Sequence, residues 1–334
     1  MEKAIAVVVT YNRKQLLSEC ITALRNQTRK LDAILVVDNG STDDTVKWLS
    51  KQSDITFISQ SNVGSAGGFN TGITWAYKNN FSWIWCMDDD GYPKEDALEK
   101  LLAEDMERLC LRNCAVLNKE DKKTFVWKTG NFNTIDDVNV KVLHGVGHPF
   151  NGTMLHRNII ERVGAPKQQL FLWGDETEYF YRITKQNGIP VKTITDSIHY
   201  HPAAAFTYKQ DWDYKNTWKM YYYIRNRFYI HQAKFSNKLI ALINYITFLT
   251  AMVGVVMIFQ KTDKLKKINF ILWPAADAFA NDFSANPKSI LLQLQETTQP
   301  THRFRNSFSA YIKQLTGELF APFLLSRTRG ALNA

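Results

Sequence analysis

Between Ala4 and Asp90 the chain alternates short β-branched runs with segments of helical period, and no other feature limits its fold as tightly. Ala4–Val9 (AIAVVV) is apolar at every position and too short for a helix, so it reads as a strand buried on both faces. Lys14 to Asn26 places Leu16, Leu17, Cys20, Ile21 and Leu24 on a helical stripe. Ile34–Val37 is a second strand, followed by the turn cluster Asp38–Thr42 and a helix from Asp43 towards Leu49. Thr56–Ile58 is a third. Asn62–Asn70 (NVGSAGGFN) reads as a glycine-rich loop entering a helix at about Thr71–Tyr77. Trp83–Met87 is a fourth strand, and it runs directly into Asp88, Asp89 and Asp90. Strands alternating with helices predict an α/β fold: a Rossmann-like, mostly parallel sheet with helices on both faces. Such sheets bind ligands at the carboxyl ends of their strands. Here those ends carry Thr10, Tyr11, Asn12, Arg13, Asp38, Asn62 and the three aspartates.

The usual nucleotide fingerprints are missing. G-x-G-x-x-G does not follow the first strand, where Thr10-Tyr-Asn-Arg13 stands instead, and no glycine-rich loop ends in Lys-Ser/Thr. The acidic triplet is more informative. Alternate residues of an extended segment point the same way, so Asp88 and Asp90 can share one site. Two carboxylates in one place repel each other unless a cation lies between them. Hard oxygen ligands suit Mg²⁺ or Mn²⁺, which bridge diphosphate oxygens and offset leaving-group charge. A solvated acidic turn is the plainer alternative, because Gly91, Tyr92 and Pro93 follow at once.

The segments VVVTYNR (Val7–Arg13), VVDNGSTDDT (Val36–Thr45), NVGSAGGFNTGI (Asn62–Ile73), WIWCMDDDGYP (Trp83–Pro93), FNGTML (Phe150–Leu155) and WGDETEYFYR (Trp173–Arg182) occur in a telling order. From Ala4 to about Arg182 the chain resembles the inverting nucleotide-sugar glycosyltransferases with the GT-A fold. The glycine-rich segment, the Trp-rich run into the aspartates and YYYIRNRF (Tyr221–Phe228) are most similar to bacterial galactofuranosyltransferases, with rhamnosyltransferases next. The resemblance implies a UDP-sugar donor, a glycan or lipid-linked glycan acceptor, and Mn²⁺ or Mg²⁺ as cofactor. It implies that Tyr11 and Asp38 hold the base, with Thr10, Asn62, Gly67 and Gly68 around the nucleotide-sugar and Arg13 near the phosphates. Asp88 and Asp89 would approach the ribose, and Asp90, with Asp88, would hold the metal. A histidine completes such a metal shell, and His201 is favoured over His199 because Pro202 follows it. Glu176, at the position six before Arg182, is expected to be the general base, although the family pattern usually has Asp there, and Asp175 is the alternative. Asp175 also suits the N-cap of a helix over Glu176–Lys185, with Glu178 completing a capping box. Trp173, Asn151 and Gly152 are candidates for sugar contacts, and Arg225 and Asn226 for the acceptor or pyrophosphate. Core packing or a plain turn accounts for several of these almost as well.

Charge divides the chain unequally. Residues 1–231 hold 29 Lys+Arg against 27 Asp+Glu, and residues 232–334 hold 12 against 5. The basic excess therefore lies beside Leu239–Phe259, 21 residues without a charge. That stretch is long enough to cross a bilayer, but polar residues dilute it and lysines flank both ends. A helix lying in the membrane interface is favoured, so an anionic membrane surface is an expected partner and nucleic acid is not. Two regions are expected, a catalytic domain over 1–205 and a helical basic region over 206–334. Four cysteines without zinc-ligand spacing and no secretory leader predict reduced thiols in a cytoplasmic protein, peripherally bound at the inner face of the cell membrane.

Overall fold

The computed structural model describes residues 2–103, 107–203, 211–212, 217–295 and 301–331. The chain divides into two compact units, 1–206 and 207–334, and the boundary expected near residue 205 lies outside the described residues.

In the first unit, β1 (Ala4–Thr10) is buried along its whole length. It pairs in parallel with β2 (Ala33–Asp38), and β2 pairs in parallel with β3 (Ile55–Ser59). On its other side β1 pairs in parallel with β4 (Trp83–Asp88). The alternation of side chains along β1 explains its uniform burial. Ala4, Ala6 and Val8 face a layer containing Leu17, Ile21 and Leu24 of α1 (Lys14–Arg25). Ile5, Val7 and Val9 face the opposite layer, with Phe69 and Ile73. The sheet is then extended through β5 (Tyr92–Pro93), β6 (Leu111–Asn118), β7 (Thr124–Thr129), β8 (Phe132–Thr134), β9 (Val142–His144), β10 (Asn151–His156) and β11 (Val191–His201). Its principal order is β3-β2-β1-β4-β10-β6-β11-β5, with β10 antiparallel to both neighbours and β6 parallel to β11. The excursion after residue 118 is thus the hairpin of β7 and β8, with β9 added to β11.

One element differs from expectation. The glycine-rich segment is no loop: α3 (Gly64–Lys78) is already helical from Gly64. The glycines let this helix lie directly on the sheet. A Cβ at Gly68 would stand 2.5 Å from Val9 Cγ1, and one at Gly72 would stand 2.4 Å from Val7 Cγ1. Close packing has overridden the low helix propensity of glycine. Short helices α2 (Thr45–Leu49), α4 (Ala97–Ala103) and α5 (Arg157–Val163) cover the remaining edges of the layers, and α6 (Asp175–Tyr181) passes into a π turn over Arg182–Gln186.

The second unit contains α7 (Met220–Lys234), α8 (Lys238–Phe259), α9 (Lys264–Ala280), α10 (Pro287–Gln295) and α11 (Thr301–Ala331). Its core is aromatic: Phe228, Tyr245, Phe279 and Tyr311 meet with ring centroids 5.2–5.6 Å apart. α8 buries Ala241, Leu242, Tyr245, Leu249, Met252 and Val256 on one stripe. Its other faces are apolar and open to solvent, with Ile243 and Met257 each 55% and Ile258 74% exposed. With a mean hydropathy of 2.2 over its most apolar window, α8 is long and apolar enough to cross a membrane. All four cysteines are buried free thiols.

Candidate active site

The acidic triplet sits where β4 ends beside the ends of β1 and β11. Asp89 is buried and accepts a 2.6 Å hydrogen bond from the Thr10 hydroxyl. Arg13, where the chain enters α1, reaches Asp89 Oδ1 at 3.1 Å and Asp90 Oδ2 at 2.8 Å. His201, the last residue of β11, puts Nε2 3.2 Å from Asp90 Oδ1. Asp88, Asp90 and His201 each present one ligand atom, all within 4.8 Å of one another.

The hydrogen bond on the far side of the imidazole fixes its tautomer. His201 Nδ1 lies 2.7 Å from the Pro202 carbonyl, which only accepts, so Nδ1 carries the proton. In its neutral form the ring turns its Nε2 lone pair towards Asp90 Oδ1, an oxygen with no other hydrogen-bond partner. Two acceptors facing each other at this distance repel unless a proton or a cation lies between them. Donating one N–H to a backbone carbonyl is the usual way a metal-ligating imidazole is oriented, with its other nitrogen left to meet the ion. The residues present thus fit a divalent cation with oxygen and nitrogen ligands.

Electrostatics agree. Burial raises the Asp90 carboxyl, but the His201 ring and the Arg13 guanidinium outweigh it and hold the group at about 2. Desolvation, then repulsion from Asp90 and Asp89, pushes Asp88 well above the ordinary carboxylate range. Burial likewise raises Asp89, against the opposing contacts with Thr10 and Arg13. A bound cation would reverse the cost of ionising Asp88.

The second acidic pair lies at the start of α6. Asp175 is buried, and Ser65 of α3 donates to its Oδ2 at 3.2 Å. Burial first, then the Glu176 charge and at longer range Asp88, push the Asp175 carboxyl well up. Glu176 is half-buried, and its Oε2 accepts the Gly174 N–H at 3.1 Å. Asp175 does not cap the helix: Gly174, with φ of 113°, is the N-cap and Asp175 the first helical residue. Glu178 completes no capping box either, because its buried carboxylate pairs with Lys167 at 2.9 Å and Arg182 at 3.3 Å. Glycine reaches the left-handed region without a Cβ penalty, which lets the helix start one residue earlier. The approach to α6 is strained. Phe171 has φ 69° and ψ −67°, and the Leu172 N–H bonds back to Leu170 O at 2.9 Å, forming a positive-φ γ-turn. Trp173 follows with φ 56°. Such strain concentrates at functional sites.

Other predicted residues take definite positions. Asp38 is buried and accepts the Ser41 N–H at 3.1 Å, shaping the loop after β2. Tyr11, which follows Thr10, the strand partner of Asp38, is 44% exposed at the end of β1. Asn62 Oδ1 accepts the Gly64 N–H at 3.0 Å and so serves the first turn of α3. Gly67 and Gly68 are buried in α3, and Gly67 abuts Val63. Asn151 is buried next to a bulge that Gly152 makes possible with φ of 74°. His199 is fully buried; its ring lies against Gly91, where a Cβ would meet Nε2 at 2.3 Å, and it stands outside the Asp88–Asp90–His201 group. In the second unit Arg225 and Asn226 are buried, with Arg225 Nε donating to Asn226 Oδ1 at 3.1 Å and its guanidinium over Tyr222 and Phe283. Sequence reasoning missed Ser65, Asn39 and Trp127. Asn39 Nδ2 donates to Gly64 O at 3.0 Å, tying the β2 loop to α3, and only its place after a strand-end aspartate hinted at this.

Comparison with known proteins identifies the family. The chain is 30% identical over 222 residues to galactofuranosyltransferase GlfT1 of Mycobacterium tuberculosis, covering 62% of this chain and 73% of that one. To GlfT1 of Mycolicibacterium smegmatis it is 31% identical over 224 residues, covering 62% and 74%. The crystal structure of S. aureus TarS 1–349 shares the fold, with a TM-score of 0.55 at 13% identity, over 93% of this chain and 92% of that one. Residues 5–163 match the model of glycosyl transferase family 2. With a strand-end acidic triplet, a histidine turned towards it and a second acidic pair at a helix start, the chain is a glycosyltransferase belonging to glycosyl transferase family 2.

Proposed function

We propose that the protein transfers galactofuranose from UDP-galactofuranose to a glycan or lipid-linked acceptor, with inversion in a single displacement. The observation carrying this reading is the Asp88–Asp90–His201 group, with His201 Nε2 facing Asp90 Oδ1 at 3.2 Å, in a chain that shares 30% identity with galactofuranosyltransferases. Asp90, Asp88 and His201 would hold Mg²⁺ or Mn²⁺, whose role when bound is to neutralise charge on the departing diphosphate. Tyr11 offers an exposed ring to the base, and the loop shaped by Asp38 lies next to it in the sheet edge. Glu176 is the general base: its carboxylate takes the acceptor hydroxyl proton as the new C–O bond forms and the bond from the anomeric carbon to the diphosphate oxygen breaks. Asp175 suits that role less well, being buried, with its carboxyl pushed well up first by that burial and then by the Glu176 charge. It positions the start of α6 through Ser65.

A donor panel tests this reading. UDP-galactofuranose should release UDP in the presence of acceptor, dTDP-rhamnose should not release dTDP, and a chelator should stop turnover. Release from dTDP-rhamnose alone, or undiminished turnover in chelator, would reject it.

The exposed apolar faces of α8, flanked by Lys234, Lys238, Lys261, Lys264 and Lys266, support peripheral attachment to an anionic membrane on the cytoplasmic side. The full chain should sediment with phosphatidylglycerol vesicles at low salt and be released at high salt. Equal binding to neutral vesicles would remove the electrostatic part of this reading.

A further inference from the structure

The hairpin of β7 and β8 is the part of the first unit that the reaction has not yet used. It carries Trp127, a half-buried residue on β7. The Trp127 ring centroid lies 4.9 Å from that of His201, at an interplanar angle of 48°. On its other flank Trp127 lies 5.5 Å from His148, at 32°. His148 is itself anchored: its Nε2 stands 3.4 Å from the Thr129 hydroxyl, and its carbonyl accepts from the Thr153 hydroxyl at 3.2 Å. The indole is therefore wedged between an immobilised histidine and the imidazole that faces Asp90.

From this arrangement we infer that Trp127 is a positioning residue for His201 and, through it, for the metal group. The inference rests on the metal reading of Asp88, Asp90 and His201. The Pro202 carbonyl fixes which nitrogen of His201 carries the proton, but one hydrogen bond leaves the ring free to swing about it. A large flat neighbour tilted against the imidazole restricts that freedom. An imidazole attached to a divalent cation is also electron-poor, and the indole face is the aromatic surface that attracts such a group best. Groups that orient a metal-bound histidine typically change metal affinity by about 10- to 100-fold when removed. Trp127 lies 23 residues before the nearest motif that follows it, Phe150–Leu155, so no local pattern marks it.

The test is Mn²⁺ binding to the purified full chain with UDP present, read by electron paramagnetic resonance, which needs no turnover. Trp127→Leu keeps apolar bulk but loses the ring, whereas Trp127→Phe keeps a ring. Trp127→Leu should weaken Mn²⁺ about tenfold, and Trp127→Phe should stay within about threefold of the parent. His201→Ala serves as the reference for loss of the ligand itself, and circular dichroism and the melting midpoint confirm folding. If His201→Ala loses Mn²⁺ while Trp127→Leu binds like the parent, or if Phe is no better than Leu, the positioning role is overturned and the metal reading stands. If the parent chain binds no Mn²⁺, or His201→Ala binds it undiminished, the metal reading falls and takes this inference with it.

Discussion

Both units bury and pair charged groups, Glu178 with Lys167 and Arg182 in the first, but among the described residues the first also crowds like charges together. Among the described residues of the second unit, the buried Arg225, Lys267 and Asp277 are each answered. Lys267 is fully buried and pairs with Asp211 at 2.6 Å. Asp277 accepts a 2.5 Å hydrogen bond from Tyr221 and pairs with Arg303 at 2.6 Å. Arg225 is enclosed by the rings of Tyr221, Tyr222 and Phe283. In the first unit burial and then the charges of Asp90 and Asp89 raise Asp88, and burial and then the charge of Glu176 raise Asp175, with the Arg13 guanidinium and the His201 ring standing beside the triplet. Burying like charges together lowers stability, so a fold retains such a cluster only where a ligand or a reaction offsets it. Answered charge marks architecture, and unanswered charge marks chemistry.

The comparison can be sharpened first at the proposed base. Glu176→Gln should lower kcat by about 10²–10⁴ and leave donor binding intact, as measured by turnover and by UDP titration. Near-normal turnover would move the base elsewhere. In the second unit Asp277→Ala should cost about 1–3 kcal/mol of unfolding free energy, because it strands the Tyr221 hydroxyl without an acceptor. Denaturant unfolding measures this. The smallest effect has the opposite sign. In chelator, Asp88→Asn should raise the melting midpoint by about 2–4 °C, since a neutral amide removes one of the repelling carboxylates. If Asp88→Asn destabilises the protein as Asp277→Ala does, the contrast between the two units is broken.

The first four strands were legible because their apolar runs are local, and local patterns survive in sequence. The acidic triplet was legible for the same reason, since three aspartates after Trp83–Met87 can hardly be anything but a strand end. The glycine-rich segment misled because glycine serves two ends. It breaks helices when alone in solvent, yet Gly68 and Gly72 here let a helix touch Val9 and Val7. Asp175 misled in a similar way: a good capping residue stood next to a better one, Gly174. Ser65, Trp127 and the Pro202 carbonyl were not legible as site elements because each acts on a partner that the fold alone brings close, apart from the adjacent Pro202 whose backbone has no sequence signature. That His199 is fully buried while His201 faces Asp90 is a difference two histidines separated by one residue cannot reveal in sequence.

The γ-turn at Phe171 has a practical side. Its carbonyl accepts the Ala66 N–H at 3.0 Å, and a Cβ on Gly64 would stand 2.0 Å from that same oxygen. The loop that delivers Trp173, Asp175 and Glu176 is thus seated on the first turn of α3, at a position with φ of 74° where only glycine leaves room. Anyone transplanting residues 168–176 from a relative to change acceptor preference is moving half of a joint, and the graft must bring a compatible residue 64 with it.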